Sequence, residues 1–205
     1  MPKAYTPNDK YFYKAKELGY RARSAFKFEE IQEKFHIIEK RNYVLDLGAA
    51  PGSFMQVASK IVGNNGKVIG IDLQPIAPFK EENIISFVGD VFDQETLRKK
   101  LSQIGIHQVD SIISDLAPKT SGIKDVDQWK SVELNLEVLK VAEIFLKEGG
   151  NILMKVFVGE DFPEIIRATK NMFKITKNYK PKACRDRSME TYIIGIGKKK
   201  LESKA

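Results

Sequence analysis

Seven short strand-like runs, most of them rich in Val, Ile and Leu, constrain this chain more than anything else in it: "NYVLDLG" (42–48), "KVIGIDL" (67–73), "IISFVGD" (84–90), "VDSIISD" (109–115), "GNILMKVF" (150–157), "FKITKNY" (173–179) and "TYIIGIG" (191–197). A strand with one wet face alternates apolar and polar residues, so runs that do not alternate belong to strands covered on both faces, as in a parallel sheet between two layers of helix. Helical periodicity fits 24–36, 52–62, 93–103, 127–147 and 161–171, between those runs. The pattern predicts a doubly wound α/β fold, a mostly parallel seven-stranded sheet with helices on both faces. No helical pattern separates the last two runs, which predicts an antiparallel edge. At 205 residues the chain suits one domain. A basic, aromatic arm is expected over 1–23 and a basic tail over 198–205.

Several function classes fall away on composition. Cys184 is the only cysteine, which excludes an internal disulfide and a cysteine-based zinc cluster, and His36 and His107 are too far apart to suggest a ligand pair; no metal is expected. No apolar run reaches the ~20 residues of a membrane span, and the N-terminus has no apolar signal region. A soluble protein of a reducing, intracellular compartment is expected, cytoplasmic by default, with a mitochondrion or other organelle left open. Charge is unevenly spread. Residues 1–40 carry 9 Lys or Arg against 6 Asp or Glu, residues 41–169 carry 14 against 18, and residues 170–205 carry 11 against 3. Basic ends around an acidic middle suit a polyanion laid across surfaces made by the termini, and nucleic acid is the first candidate.

A sheet of this kind binds ligands beyond the carboxyl ends of its strands. The first strand runs into "DLGAAPGSF", Asp46 to Phe54, where Gly48 and Gly52 allow close approach of backbone to a ligand and Pro51 suits a first helical position. Asp46 and Gly48 therefore join the candidate cofactor contacts. The second strand ends at Asp72, placed to accept hydrogen bonds from both hydroxyls of a ribose; the third ends at Asp90 and the fourth at Asp115. The loop reads G-A-A-P-G and not G-x-G-x-x-G, which disfavours a nicotinamide cofactor with its pyrophosphate over a helix start. A nucleoside ligand without phosphate and with cationic groups, such as S-adenosylmethionine, suits the carboxylates better.

Six ordered segments, "RARSAFKFEEI", "LDLGAAPGSFMQ", "IDLQPIAP", "SDLAPKTSG", "LMKVFVGED" and "SMETYII", resemble the FtsJ family of RNA ribose 2′-O-methyltransferases along nearly the whole chain. The resemblance implies a Rossmann-like class I methyltransferase fold, S-adenosylmethionine as donor with S-adenosylhomocysteine as product, RNA as acceptor, and a catalytic tetrad on Lys27, Asp115, Lys155 and Glu190. It places cofactor contacts on Gly52, Phe54, Asp72, Asp90 and Asp115. Where bacterial rRNA enzymes of the family read P-G-G-W, this chain has Pro51-Gly52-Ser53-Phe54, so any contact from Phe54 lacks an indole N–H. "SDLAPKTSG" and the compact length resemble the branch that methylates a uridine of large-subunit rRNA; "APGS" and "IDLQPIAP" also resemble the tRNA anticodon-loop branch.

The residues support that chemistry independently. A ribose hydroxyl must lose its proton as it attacks a methyl carbon, so a base nearby is valuable. Lysine serves only if its pKa falls by ~3 units, which partial burial and a second cation can produce. Lys155 interrupts an apolar run near a strand end, and Lys27, at the edge of a stripe formed by Ala25, Phe28, Ile31 and Phe35 with Ser24 as N-cap, supplies the second cation. The structural alternative is a stem packed on apolar surface with its ammonium in water. Asp115 and Glu190 would orient the lysines, yet they also favour the charged form, so the sequence leaves Lys155 open as base or as positioner. RNA contacts are expected from Arg21 and Arg23 in "YFYKAKELGYRAR" and from Lys182 and Arg185 in "NYKPKACRDRS", which also contains Arg187. The partner expected is rRNA or a large-subunit particle, with the enzyme a monomer; a non-catalytic RNA-binding module is the rival class.

Overall fold

A computed structural model describes residues 10–185 and 188–200; Arg187 and the outer parts of the expected arm and tail lie outside them. Six helices and seven strands follow in the order α1 (Lys10–Glu17), α2 (Ala25–Phe35), β1 (Tyr43–Leu47), α3 (Ser53–Val62), β2 (Lys67–Asp72), β3 (Ile84–Val88), α4 (Gln94–Gln103), β4 (Val109–Ser114), α5 (Lys124–Phe145), β5 (Leu146–Phe157), α6 (Phe162–Met172), β6 (Phe173–Tyr179) and β7 (Glu190–Lys198). The strand order is β3-β2-β1-β4-β5-β7-β6. β1 to β5 pair in parallel, and β7 pairs antiparallel with both β5 and β6. The strand running against the others is thus one place in from the edge, with β6 outside it. The consequence is functional: an antiparallel strand begins where parallel ones end, so Glu190 lies opposite Phe157 and two residues from the pair Lys155–Tyr192.

Both faces of the central strands are covered, as their apolar runs require, whereas the edge strands β3 and β6 stay largely open. Leu45, Leu47, Ile112, Met154 and Val156 form one core with residues of α4, α5 and α6, including Leu97, Phe145 and Ile165. Val44, Ile113, Leu153, Tyr192 and Ile194 form the other with α2 and α3, including Phe28, Ile31 and Met55. Strand parity then sorts the candidate residues. Asp46, Asp115, Lys155 and Glu190 share the parity of Val44, Ile113, Leu153 and Tyr192, so all four project toward the face that α2 and α3 cover.

Local differences from the sequence reading have identifiable causes. α1 was not expected as a helix; its eight residues bury only Ala15, so no apolar stripe announces it. Ser24 stands at the N-cap of α2 without a side-chain cap bond. Its hydroxyl instead meets that of Ser53 at 2.8 Å and ties α2 to the start of α3. Lys198, the first residue of the expected basic tail, is the last residue of β7 and is buried.

Candidate active site

The candidate cofactor turn is built by β1 delivering its chain to α3. Gly48 has φ 74 and Gly52 φ 103, conformations that side chains rarely adopt, and a Cβ on Gly48 would fall 2.3 Å from the Leu116 side chain. Asp72 accepts hydrogen bonds from Ala50 N (2.9 Å) and Gln74 N (2.8 Å), so one carboxylate holds both the turn and the segment after β2. Each of its oxygens has a second lone pair for a ligand hydroxyl. Asp90 is exposed two residues past β3 and accepts from Phe92 N at 2.9 Å. Asp115, one residue past β4, remains partly open to solvent.

Asp46 is the outlier. It is fully buried and neither carboxylate oxygen has a hydrogen-bond partner. Burial pushes its pKa well up, and the charges of Asp115 and Asp72 add to the rise. An orphaned, buried carboxyl beside two other carboxylates is costly on its own and is the environment a cationic ligand relieves. With the left-handed glycines of the adjoining turn, the residues present fit S-adenosylmethionine. Phe54 does not reach that cleft with its ring, which is 3% exposed and stacked on Phe28 at 4.9 Å. Phe54 is the second residue of the helix and faces the core. What Phe54 retains for a ligand is its backbone N–H, one of the first of α3.

Four ionisable groups meet beside this cleft. Lys27 Nζ is paired and hydrogen-bonded to Glu190 Oε1, with both side chains close to 90% buried. Lys155 Nζ lies 3.1 Å from Asp115 Oδ1 and also donates to the Asp115 backbone carbonyl. Burial alone would raise the Glu190 pKa. The Lys27 charge and hydrogen bond, a hydrogen bond from the Cys184 thiol and the Lys155 charge outweigh it and hold the carboxyl below its ordinary value. The Lys155 charge acting on Glu190 joins the two pairs into one cluster.

Several supports were not legible beforehand. The Tyr192 hydroxyl, completely buried, donates to Asp115 Oδ1 at 2.8 Å. The Cys184 thiol, pushed up to about 12 chiefly by burial and then by Glu190, donates to Glu190 Oε1 at 3.1 Å. From α5, Asn135 donates to the Lys155 carbonyl (2.8 Å) and Ser131 accepts from Phe157 N (3.0 Å), capping β5 where β4 has already ended. Two polar residues on the buried stripe of α5 were the signal available for them.

The expected RNA contacts divide. Arg23 donates to the Ala183 carbonyl, tying the segment before α2 to the one before β7, and Lys182 and Arg185 are exposed on that second segment. Arg21 is engaged with backbone and an aromatic ring of the chain itself. Tyr11 and Tyr20 pack on Phe26, whereas Phe12 and Tyr13 are half-exposed. Among the described residues no group of acidic, His and Cys side chains is arranged to hold a metal, and no helix is long and apolar enough to cross a membrane.

A sheet in this order with β7 inserted antiparallel, and a carboxylate-lined cleft at its carboxyl end, is the architecture of Rossmann-like methyltransferases. The chain belongs to the FtsJ-like methyltransferase family, whose model matches residues 20–198. It is 40% identical to the ribosomal RNA large subunit methyltransferase E of Myxococcus xanthus, over 99% of this chain and 95% of that one. It is 45% identical to the protein of the same name from Methanothrix thermoacetophila, over 91% of this chain and 71% of the relative. Among solved structures, a ribosomal RNA methyltransferase from Plasmodium falciparum superposes with TM-score 0.77 at 28% identity, covering 87% of this chain and 98% of the other. Fibrillarin from Aeropyrum pernix, TM-score 0.56 at 19% identity over 78% of this chain and 68% of its own, shares the fold.

Proposed function

We propose that this protein transfers a methyl group from S-adenosylmethionine to a ribose 2′-hydroxyl in large-subunit rRNA, with uridine as the modified nucleotide and S-adenosylhomocysteine as product. One observation carries the reading: two lysine–carboxylate pairs, drawn from segments up to 163 residues apart, converge on one cleft beside the unpartnered Asp46. The names of the relatives at 40% and 45% identity support rRNA of the large subunit as substrate over tRNA.

Bound S-adenosylmethionine supplies an electrophilic methyl carbon on a cationic sulfur. Asp72 and Asp90 are assigned to its ribose and base, the Gly48–Gly52 turn and the first N–H groups of α3 to its amino-acid end, and Asp46 to its positive charge. Lys155 is assigned to the reacting hydroxyl. One N–H of Lys155 goes to the Asp115 backbone carbonyl and the Asp115 carboxylate lies beside it as an ion pair, which leaves donor capacity for the substrate oxygen. As an amine Lys155 accepts the proton of the hydroxyl; as an ammonium it orients the oxygen. A pH–rate profile separates these, because a base produces a limb rising with pH that Lys155→Arg loses. Glu190, kept ionised by Lys27, is an anchored acceptor that steers the ribose or Lys155. Much of the rate comes from this positioning. Arg23, Lys182 and Arg185, on segments tied to each other beside the cleft, are assigned to RNA phosphates. The enzyme acts as a monomer wherever large subunits are assembled, the cytosol or an organelle.

The test is transfer of a tritiated methyl group to separated large-subunit rRNA, precursor particles and tRNA, followed by mapping of the modified nucleotide. Label on a 2′-O-methyluridine of the large-subunit RNA is expected. Label confined to tRNA, or to a base instead of a ribose, would sink the proposal.

A further inference from the structure

We propose that Arg21 is a positioning residue for the cofactor, clasping the segment after β2 against the Gly48–Gly52 turn. The inference rests on the cofactor assignment above and replaces the expectation that Arg21 binds RNA.

The guanidinium bridges two carbonyls far apart in sequence, with Nη1 donating to Pro51 O at 3.0 Å and Nη2 to Pro78 O at 2.7 Å. Its carbon sits 3.5 Å from the centre of the Phe79 ring. A planar fork that donates along two directions and stacks on a ring at once is chemistry that arginine has and lysine lacks. Arg21 is itself held, because its backbone N–H donates to Gln56 Oε1 of α3 (2.8 Å) and Gln56 returns a hydrogen bond to Gly19 O (3.0 Å). Contact with the turn is close. A Cβ added to Gly52 would fall 2.5 Å from Phe79 Cζ and 3.0 Å from Arg21 Nη1, so this glycine is required by the clasp as well as by its φ.

The two segments clasped share Asp72 as well as Arg21. Asp72 joins them by accepting from Ala50 N and from Gln74 N, and Arg21 joins them again at Pro51 and Pro78. A loop fixed at one end only samples many openings; fixing it at a second point removes that freedom before a ligand arrives. Arg21 therefore sets the spacing of the two segments between which Asp72 is to meet a ribose.

Equilibrium binding of S-adenosylmethionine and, separately, of a large-subunit rRNA fragment over a salt series tests this in the full chain. Binding of the cofactor by the wild-type protein comes first and checks the cofactor assignment independently of Arg21. Arg21→Ala is expected to weaken the cofactor about tenfold while the affinity for RNA and its salt slope stay unchanged. Arg21→Lys, which keeps the charge and loses the fork, should not restore it. Phe79→Ala leaves the charge in place and removes the stacking face; it should weaken the cofactor too, and it serves if Arg21→Ala folds poorly. Unchanged cofactor affinity in these variants, with weaker RNA binding and a salt slope shallower by about one in Arg21→Ala, would overturn the proposal.

Discussion

Lys155 and Lys198 are both buried lysines on strands, 9% and 4% exposed, at opposite ends of the sheet. Lys198 Nζ donates to the carbonyls of Ala142 (2.8 Å), Glu143 (2.6 Å) and Leu146 (2.8 Å), where α5 passes into β5. All three of its hydrogens are spent on backbone. Gly197, at φ 69, breaks the alternation of β7 and turns Lys198 toward α5. Lys155 instead donates to one backbone carbonyl and meets a carboxylate that is partly open to water, within a cluster of side-chain charges, and keeps donor capacity for something else. Burial of a lysine is therefore no mark of function. What separates the two is whether the partners exhaust its hydrogen-bonding capacity.

The contrast breaks most sharply on removal of each cation. Lys155→Ala should lower methyl transfer about 10³-fold, with cofactor affinity and thermal stability nearly unchanged, because Asp115 can be hydrated where it stands. Single-turnover kinetics alongside cofactor titration measures this, and wild-type turnover in the variant would remove Lys155 from the mechanism. Lys198→Met should do the reverse. It strips three carbonyls of a charged donor and should cost about 3 kcal/mol of stability, read by urea denaturation, while the folded fraction keeps its turnover. A Lys198 variant that folds normally and fails to methylate would erase the distinction between the two lysines.

Acid should sharpen the same comparison. Glu190 is held below its ordinary pKa in the fold against the desolvation that opposes it, so its ionised form is favoured in the native state. Stability from this source is fully present above the unfolded value near 4.5 and is lost as pH falls through the lower, folded one. The urea midpoint of the wild-type protein should therefore drop below about pH 4.5, and that part of the drop should vanish in Glu190→Gln. Lys198→Met should retain the part of the acid drop due to Glu190, since the hydrogen bonds of that ammonium go to backbone carbonyls far from the Lys27–Glu190 pair. An unaltered acid profile in Glu190→Gln would mean that the Lys27–Glu190 pair contributes little net energy, as some buried pairs do.

Much of this geometry was legible in the sequence because the signals were local or periodic. All seven strands overlap the strand-like runs, β5 starting four residues earlier at Leu146, and the carboxylates at strand ends follow from that placement alone. The tetrad positions came from ordered motifs, not from periodicity, and only the antiparallel insertion of β7 explains why Glu190 can meet Lys27 across 163 residues. α1 was missed because helix formation there is fixed by packing of Tyr11 on Phe26 and not by a stripe of its own. Tyr192 and Cys184 were missed because each reads as an apolar core residue, and a single donated hydrogen bond is all that distinguishes it. Lys198 was misplaced because three partners contributed by the far end of another helix leave no trace in the residues around it.

Asp46 carries the comparison to its smallest expected effect, because it is the opposite of Lys198: buried, polar and without a partner. Its pKa is raised by burial first and by Asp115 and Asp72 next, so the fold favours the protonated acid. That contribution is present below the unfolded value near 3.8 and is lost as pH rises through the folded one, which leaves the side chain a burden in the cofactor-free protein at neutral pH. Asp46→Asn keeps the shape and removes the ionisation. It should raise the stability of the cofactor-free protein by about 1 kcal/mol at neutral pH, by less as pH falls, and at the same time weaken S-adenosylmethionine binding severalfold. Thermal melts with and without cofactor measure both sides of the exchange. Were Asp46→Asn instead to lower stability while binding the cofactor as well as the wild type, the carboxyl would be a structural acceptor like the carbonyls around Lys198, and the site would lose the residue that most suggests a cationic ligand.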